Sequence, residues 1–65
     1  MRIEVNGRAY ETAATTLLVL LDAVSGTTLG SAAAVDGAVV PRGEWATYEL
    51  RPGQSVEVLT AVQGG

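Results

Sequence analysis

The chain is 65 residues long, 48% hydrophobic and 17% charged, with a net charge of −3 and neither histidine nor cysteine. Those absences exclude disulfides, thiolate metal sites, a cysteine nucleophile, the usual general base and the usual catalytic triads. The acidic balance is the wrong sign for a nucleic-acid partner, which calls for a basic footprint.

This length makes one domain, residues 1–65, and a domain so small buries only about 60% of its unfolded surface. Ten of the hydrophobic residues are alanine and the aromatics are Tyr10, Trp45 and Tyr48, so the core has to rest on nine valines, seven leucines and Ile3. All four cations are arginine (Arg2, Arg8, Arg42 and Arg51), which leaves no lysine for side-chain isopeptide bonds. No apolar run approaches the ~20 residues of a membrane span. Met1-Arg2-Ile3-Glu4-Val5 lacks the apolar region of a signal peptide. A cytoplasmic location without a membrane partner is the expectation.

Met1, Ile3 and Val5 alternate with Arg2 and Glu4, the period of a half-buried strand. Asn6-Gly7 is a strong hairpin signal, because a type I′ turn needs positive φ at both central residues. A two-residue turn sets Val5 opposite Arg8 and Ile3 opposite Tyr10, in a second strand running from Arg8 to Ala13. Thr15 or Thr16 is suited to cap a helix. In that helix Leu17, Leu20, Leu21 and Val24 form one apolar stripe, Leu18 lies at its edge, and Asp22 and Ala23 face outward. Ser25-Gly26 ends the helix and residues 27–30 read as a loop.

Ser31 to Val35 reads as a strand of small residues, and Asp36-Gly37 is a second hairpin signal returning through Ala38, Val39 and Val40 to Pro41. Arg42 to Ala46 reads as an irregular or single helical turn with Trp45 folded back as an apolar plug. Tyr48, Glu49 and Leu50 suggest a brief strand, closed by a turn at Arg51-Pro52-Gly53. The last strand spans Gln54 to Val62. Val56, Val58 and Val62 share one face with Thr60, while Ser55, Glu57, Leu59 and Ala61 share the other. Leu59 and Ala61 are apolar where a solvent face would be polar, so they are either a docking patch beside the tail or covered by a neighbouring loop.

Gly64-Gly65 closes the sequence after Val62 and Gln63. Without Cβ atoms this segment is slim enough to thread a partner's channel and offer a terminal carboxylate. The alternative is an ordinary frayed end. The element order, with one helix against a mixed sheet and the last strand returning beside the first in parallel, indicates an α+β, β-grasp (ubiquitin-like) fold. It comprises a mixed four- to five-stranded sheet packed on one helix, with residues 62–65 as a flexible tail.

Two stretches carry a resemblance to a known family: residues 35–45, Val35-Asp36-Gly37-Ala38-Val39-Val40-Pro41-Arg42-Gly43-Glu44-Trp45, and residues 56–65, ending Gln63-Gly64-Gly65. The whole chain resembles the ThiS family of sulfur carriers for thiamine thiazole biosynthesis. Val40-Pro41-Arg42 with Glu44-Trp45 is the most specific part, because other Gly-Gly-ended β-grasp proteins generally lack it. That segment reads as structural: Pro41 stops a strand, Trp45 fills the core, and Arg42 pairs with Glu44 or a tail-side carbonyl. Pro52-Gly53-Gln54 departs from the Asp-Gly-Asp turn common in the family, and the middle of the chain is unusually rich in alanine.

The resemblance implies a carried substrate rather than an enzyme. A ThiF-type adenylyltransferase uses ATP to adenylate the Gly65 carboxylate, and no cofactor is bound by the carrier itself. Sulfur from a cysteine-desulfurase route then leaves a thiocarboxylate on Gly65, which donates it to the thiazole synthase ThiG; glycine oxidase belongs to the same pathway. Gly64 matches the family tail, Gln63 and Val62 form its root, and Leu59 and Ala61 are candidate partner contacts. The competing readings are a MoaD-like sulfur carrier for molybdopterin, a ubiquitin-like tag attached through Gly65, and a passive β-grasp binding module.

Overall fold

Two turns with nearly the same backbone frame the sheet. In the computed structural model, which describes residues 1–25 and 31–60, Asn6 and Gly7 have φ of 51° and 82°, and Asp36 and Gly37 have φ of 51° and 87°. Two successive left-handed residues are what an Asx-Gly pair tolerates best, and the resulting turn matches the twist of its flanking strands. The turns join antiparallel pairs: β1 (Arg2–Val5) with β2 (Arg8–Glu11), and β3 (Ser31–Val35) with β4 (Ala38–Val40). Val5 faces Arg8 and Ile3 faces Tyr10, as a two-residue turn requires.

β2 is two residues shorter than its alternation suggests. The Thr12 N–H still donates to the Met1 carbonyl at 2.9 Å, but Thr12 Oγ1 accepts from the Ala14 N–H at 3.0 Å. That local bond turns the backbone out of the ladder before it can pair further.

The helix α1 (Leu17–Ser25) starts at Thr16, whose Oγ1 accepts from the Val19 N–H at 3.4 Å. The Leu17 and Leu18 N–H groups, which have no acceptor within the helix, donate to the carbonyls of Tyr48 at 3.0 Å and Trp45 at 3.1 Å. Leu50 N–H returns a bond to the Thr15 carbonyl at 2.9 Å. The segment from Trp45 to Leu50 is therefore a strap across the helix start. The brief strand expected at Tyr48–Leu50 is a single antiparallel bridge between Thr16 and Glu49, because its polar groups face the helix entry instead of the sheet.

Pro41 ends β4, and a 3-10 turn over Arg42–Glu44 leads to Trp45. The indole is buried, with Nε1 donating to the Val40 carbonyl. The Arg42 guanidinium carbon lies 5.6 Å from the ring centroid, within cation–π range.

β5 (Ser55–Thr60) runs through the centre of the sheet, parallel to β1 and antiparallel to β3, in the order β2-β1-β5-β3-β4. It starts one residue later than the alternation suggests. Gln54 belongs to the preceding turn, where its Oε1 accepts from the Arg51 N–H at 2.7 Å. Leu17, Leu20 and Leu21 of α1 pack with Ile3, Val5, Ala33, Val35, Val56 and Val58 from one face of the sheet, and Trp45, Val40 and Leu50 close the core. Val24 and Tyr10 are half-buried against it, while Asp22 and Ala23 face solvent. Each valine taken out of water here contributes roughly 1.5–3 kcal/mol, so a thin core depends on every one of them. The helix end at Gly26, the loop at 27–30 and the strand end at 61–62 lie outside the described residues.

Candidate partner-docking face and tail

The face of the sheet turned away from α1 carries the alternate residues of each strand. On the β1–β2 side it is charged and paired: Arg2 Nε lies 3.5 Å from Glu11 Oε1, and Ser55 Oγ donates to Glu4 Oε1 at 3.2 Å. On the β5–β3–β4 side it is apolar. Ala32 faces Leu59 across the β3–β5 ladder, while Ala34 faces Glu57 on one side and Val39 on the other. Leu59 is 73% exposed and Val39 is 76% exposed.

Alanine side chains are too short to fill the space between those taller neighbours. The result is an open groove of about 120 Å³ with Ala32 and Ala34 in its floor and Val39, Leu59 and Glu57 at its sides. Leu59 thus lies on an open apolar face, and no described loop covers it. Ala61, Val62, Gln63, Gly64 and Gly65 lie outside the described residues; Thr60, paired with Ser31, is the last residue before them.

Val39 and the alanine floor were not singled out as site residues from the sequence. The signal was available, because the register of the Asp36-Gly37 hairpin places Val39 beside Ala34, out of phase with the buried Val35 and Val40. Among the described residues there is no cluster of three or more acidic, histidine or cysteine side chains fit to hold a metal ion, and no helix long and apolar enough to cross a membrane.

The model of the ThiS family matches residues 3–65, from the middle of β1 through Gly64-Gly65. The chain belongs to the ThiS family. No curated protein matches it. The crystal structure of a thiamine biosynthesis protein (ThiS) from Geobacter metallireducens superposes with a TM-score of 0.83 at 23% identity, covering 100% of both chains. Among the described residues of this ThiS-family chain, the five-stranded mixed sheet packed on α1 is accordingly a β-grasp fold. In that frame the apolar groove lies on the open face of the three strands β5, β3 and β4, next to the strand that leads into the tail.

Proposed function

We propose that this ThiS-family chain carries sulfur for thiamine thiazole biosynthesis on the carboxylate of Gly65. The observation behind the reading is that the family match extends through Gly64 and Gly65. In the reaction, a carboxylate oxygen of Gly65 attacks the α-phosphorus of ATP in a ThiF-type adenylyltransferase, and pyrophosphate leaves. The terminal sulfur of a persulfide from a cysteine-desulfurase route then attacks the acyl carbon and displaces AMP, and a second thiol cleaves the resulting acyl disulfide, leaving a thiocarboxylate for ThiG and a disulfide between the two thiols. The chain supplies no catalytic group in this scheme; it is the co-substrate. Gly64 keeps the tail slim for a narrow active site, Val62 and Gln63 link it to β5, and Leu59 and Ala61 belong to the surface the partner enzymes grip. The exposed apolar groove, lined in part by β5, supports such a docking role, since exposed apolar patches mark surfaces that partner proteins contact.

The test is reconstitution with the adenylyltransferase, ATP and a sulfur source, followed by intact mass. Replacement of one terminal oxygen by sulfur adds about 16 Da, chemistry that the ATP-using partner and not the carrier must provide. No mass gain with an adenylyltransferase that is active on another carrier would refute the proposal. Transfer to a molybdopterin synthase large subunit, and none to ThiG, would reassign the pathway while keeping the chemistry.

A further inference from the structure

Asn6 is the chain's one asparagine, and it is followed by Gly7 in an exposed turn. Glycine offers an unhindered backbone nitrogen, and nothing lies within 4 Å of the position a Cβ would take on Gly7. The side chain, however, is engaged. Asn6 N–H donates to the Val56 carbonyl at 2.9 Å, and Asn6 Oδ1 accepts from the Val58 N–H at 2.8 Å. The carboxamide oxygen thus stands in for a backbone carbonyl and continues the β1–β5 pairing past Val5, where β1 itself has turned away. The second hairpin makes a related bond with a carboxylate, beside an antiparallel pair: Asp36 has the same φ of 51°, its N–H donates to the Ser55 carbonyl, and its Oδ1 accepts from the Ser55 N–H at 2.9 Å.

We propose that Asn6 is a site of spontaneous deamidation, guarded in the folded chain by its bond to Val58, and that the fold accepts aspartate there but not isoaspartate. Hydroxide removes the Gly7 amide proton and the nitrogen attacks Asn6 Cγ. A bond from Gly7 N to Cγ closes a succinimide, the Cγ–Nδ2 bond breaks, and ammonia leaves with protons from solvent. Water then adds to one ring carbonyl. Opening at the Cγ–N bond yields aspartate, and opening at the backbone carbonyl yields isoaspartate, with the chain rerouted through Cβ. No oxidant or reductant takes part.

Ring closure swings Cγ onto the Gly7 nitrogen, which takes Oδ1 off the Val58 N–H, so the reaction proceeds from an opened turn. Aspartate keeps an acceptor oxygen at Asn6 Oδ1, and Asp36 shows a carboxylate accepting from a β5 N–H out of a turn of the same φ. Isoaspartate adds an atom to the backbone inside a two-residue turn and moves the carboxylate, leaving the Val58 N–H without its partner two residues before Thr60.

The experiment incubates the intact chain at mildly alkaline pH, once folded and once in urea, and maps aspartate and isoaspartate at Asn6 by fragmentation mass spectrometry. Deamidation about two- to tenfold slower in the folded chain is expected, the factor that one net hydrogen bond controls. Equal rates would overturn the guard, and an unreacted Asn6 in urea would overturn the site. Asn6→Asp is expected to fold and to keep amide exchange at Val58 as slow as in the parent, whereas the isoaspartate form exchanges Val58 quickly. An unfolded Asn6→Asp, fast exchange at Val58 in that variant, or slow exchange in the isoaspartate form would overturn the discrimination.

Discussion

The indole Nε1 of Trp45 donates to the carbonyl oxygen of Val40 at 2.8 Å, tying the 3-10 turn back to the end of the strand it follows. The ring is 1% exposed, and its own backbone carbonyl accepts from Leu18 at the start of α1. One residue therefore joins the edge strand, the core and the helix entry. A chain of this size has a total stability of roughly 3–10 kcal/mol at about 0.05–0.15 kcal/mol per residue. Trp45→Ala is expected to remove roughly 3–5 kcal/mol, a third or more of that stability. Trp45→Phe keeps much of the apolar contact but loses the indole bond to the Val40 carbonyl, for a loss of about 0.5–1.5 kcal/mol. Urea unfolding followed by circular dichroism measures both, and an alanine variant as stable as the parent would contradict the buried placement.

Gly53 and Gly43 separate backbone strain from mere smallness. Gly53 has φ of 85° in the turn before β5, whereas Gly43 shows no positive φ, and both have open space where a Cβ would go. Gly53→Ala is expected to cost about 1–2 kcal/mol from the left-handed conformation alone. Gly43→Ala should stay within about 0.5 kcal/mol of the parent. Equal losses in the two variants would mean that the turn at Pro52-Gly53 has another backbone.

Leu59 and Val39 flank the groove without entering the core. Leu59→Thr and Val39→Thr keep strand-forming side chains, so unfolding midpoints should move by no more than about 0.5 kcal/mol. If the groove is the docking face, thiocarboxylate formation by the adenylyltransferase should slow by about tenfold, the loss of a contact worth over 1 kcal/mol. Unchanged kinetics in the double variant would move the docking surface elsewhere.

The described core extends from Ile3 to Val58 and includes nothing after it. Deleting Gly64 and Gly65 should accordingly leave the unfolding curve in place while abolishing the mass gain on incubation with adenylyltransferase, ATP and sulfur source. Retained sulfur incorporation in the truncated chain would place the acceptor at another residue.

Much of the fold was legible because its determinants are local. The alternation of Ile3 and Val5 with Arg2 and Glu4, the Asx-Gly turns, and the stripe of Leu17, Leu20 and Leu21 each act within a few residues, and each sits where its period placed it. The central, parallel placement of β5 was an arrangement the element order allowed, and the sheet adopts it. Leu59 was legible as an exposed apolar residue out of phase with Val56 and Val58.

The strap was not legible. Tyr48–Leu50 has the composition of a strand, yet the Tyr48 carbonyl accepts from Leu17 and the Leu50 N–H donates to Thr15, and nothing in those residue types reveals that partner. The same holds for the groove: Ala32, Ala34 and Val39 become one surface with Leu59 only once β3 lies between β4 and β5. The sequence by itself determined the turns, the helix face and the alternation of the strands, since φ preferences and periodicity are carried by neighbouring residues. Tertiary structure alone decided which helix N–H groups the strap satisfies and which small side chains lie between tall ones, because both depend on segments brought together from distant parts of the chain.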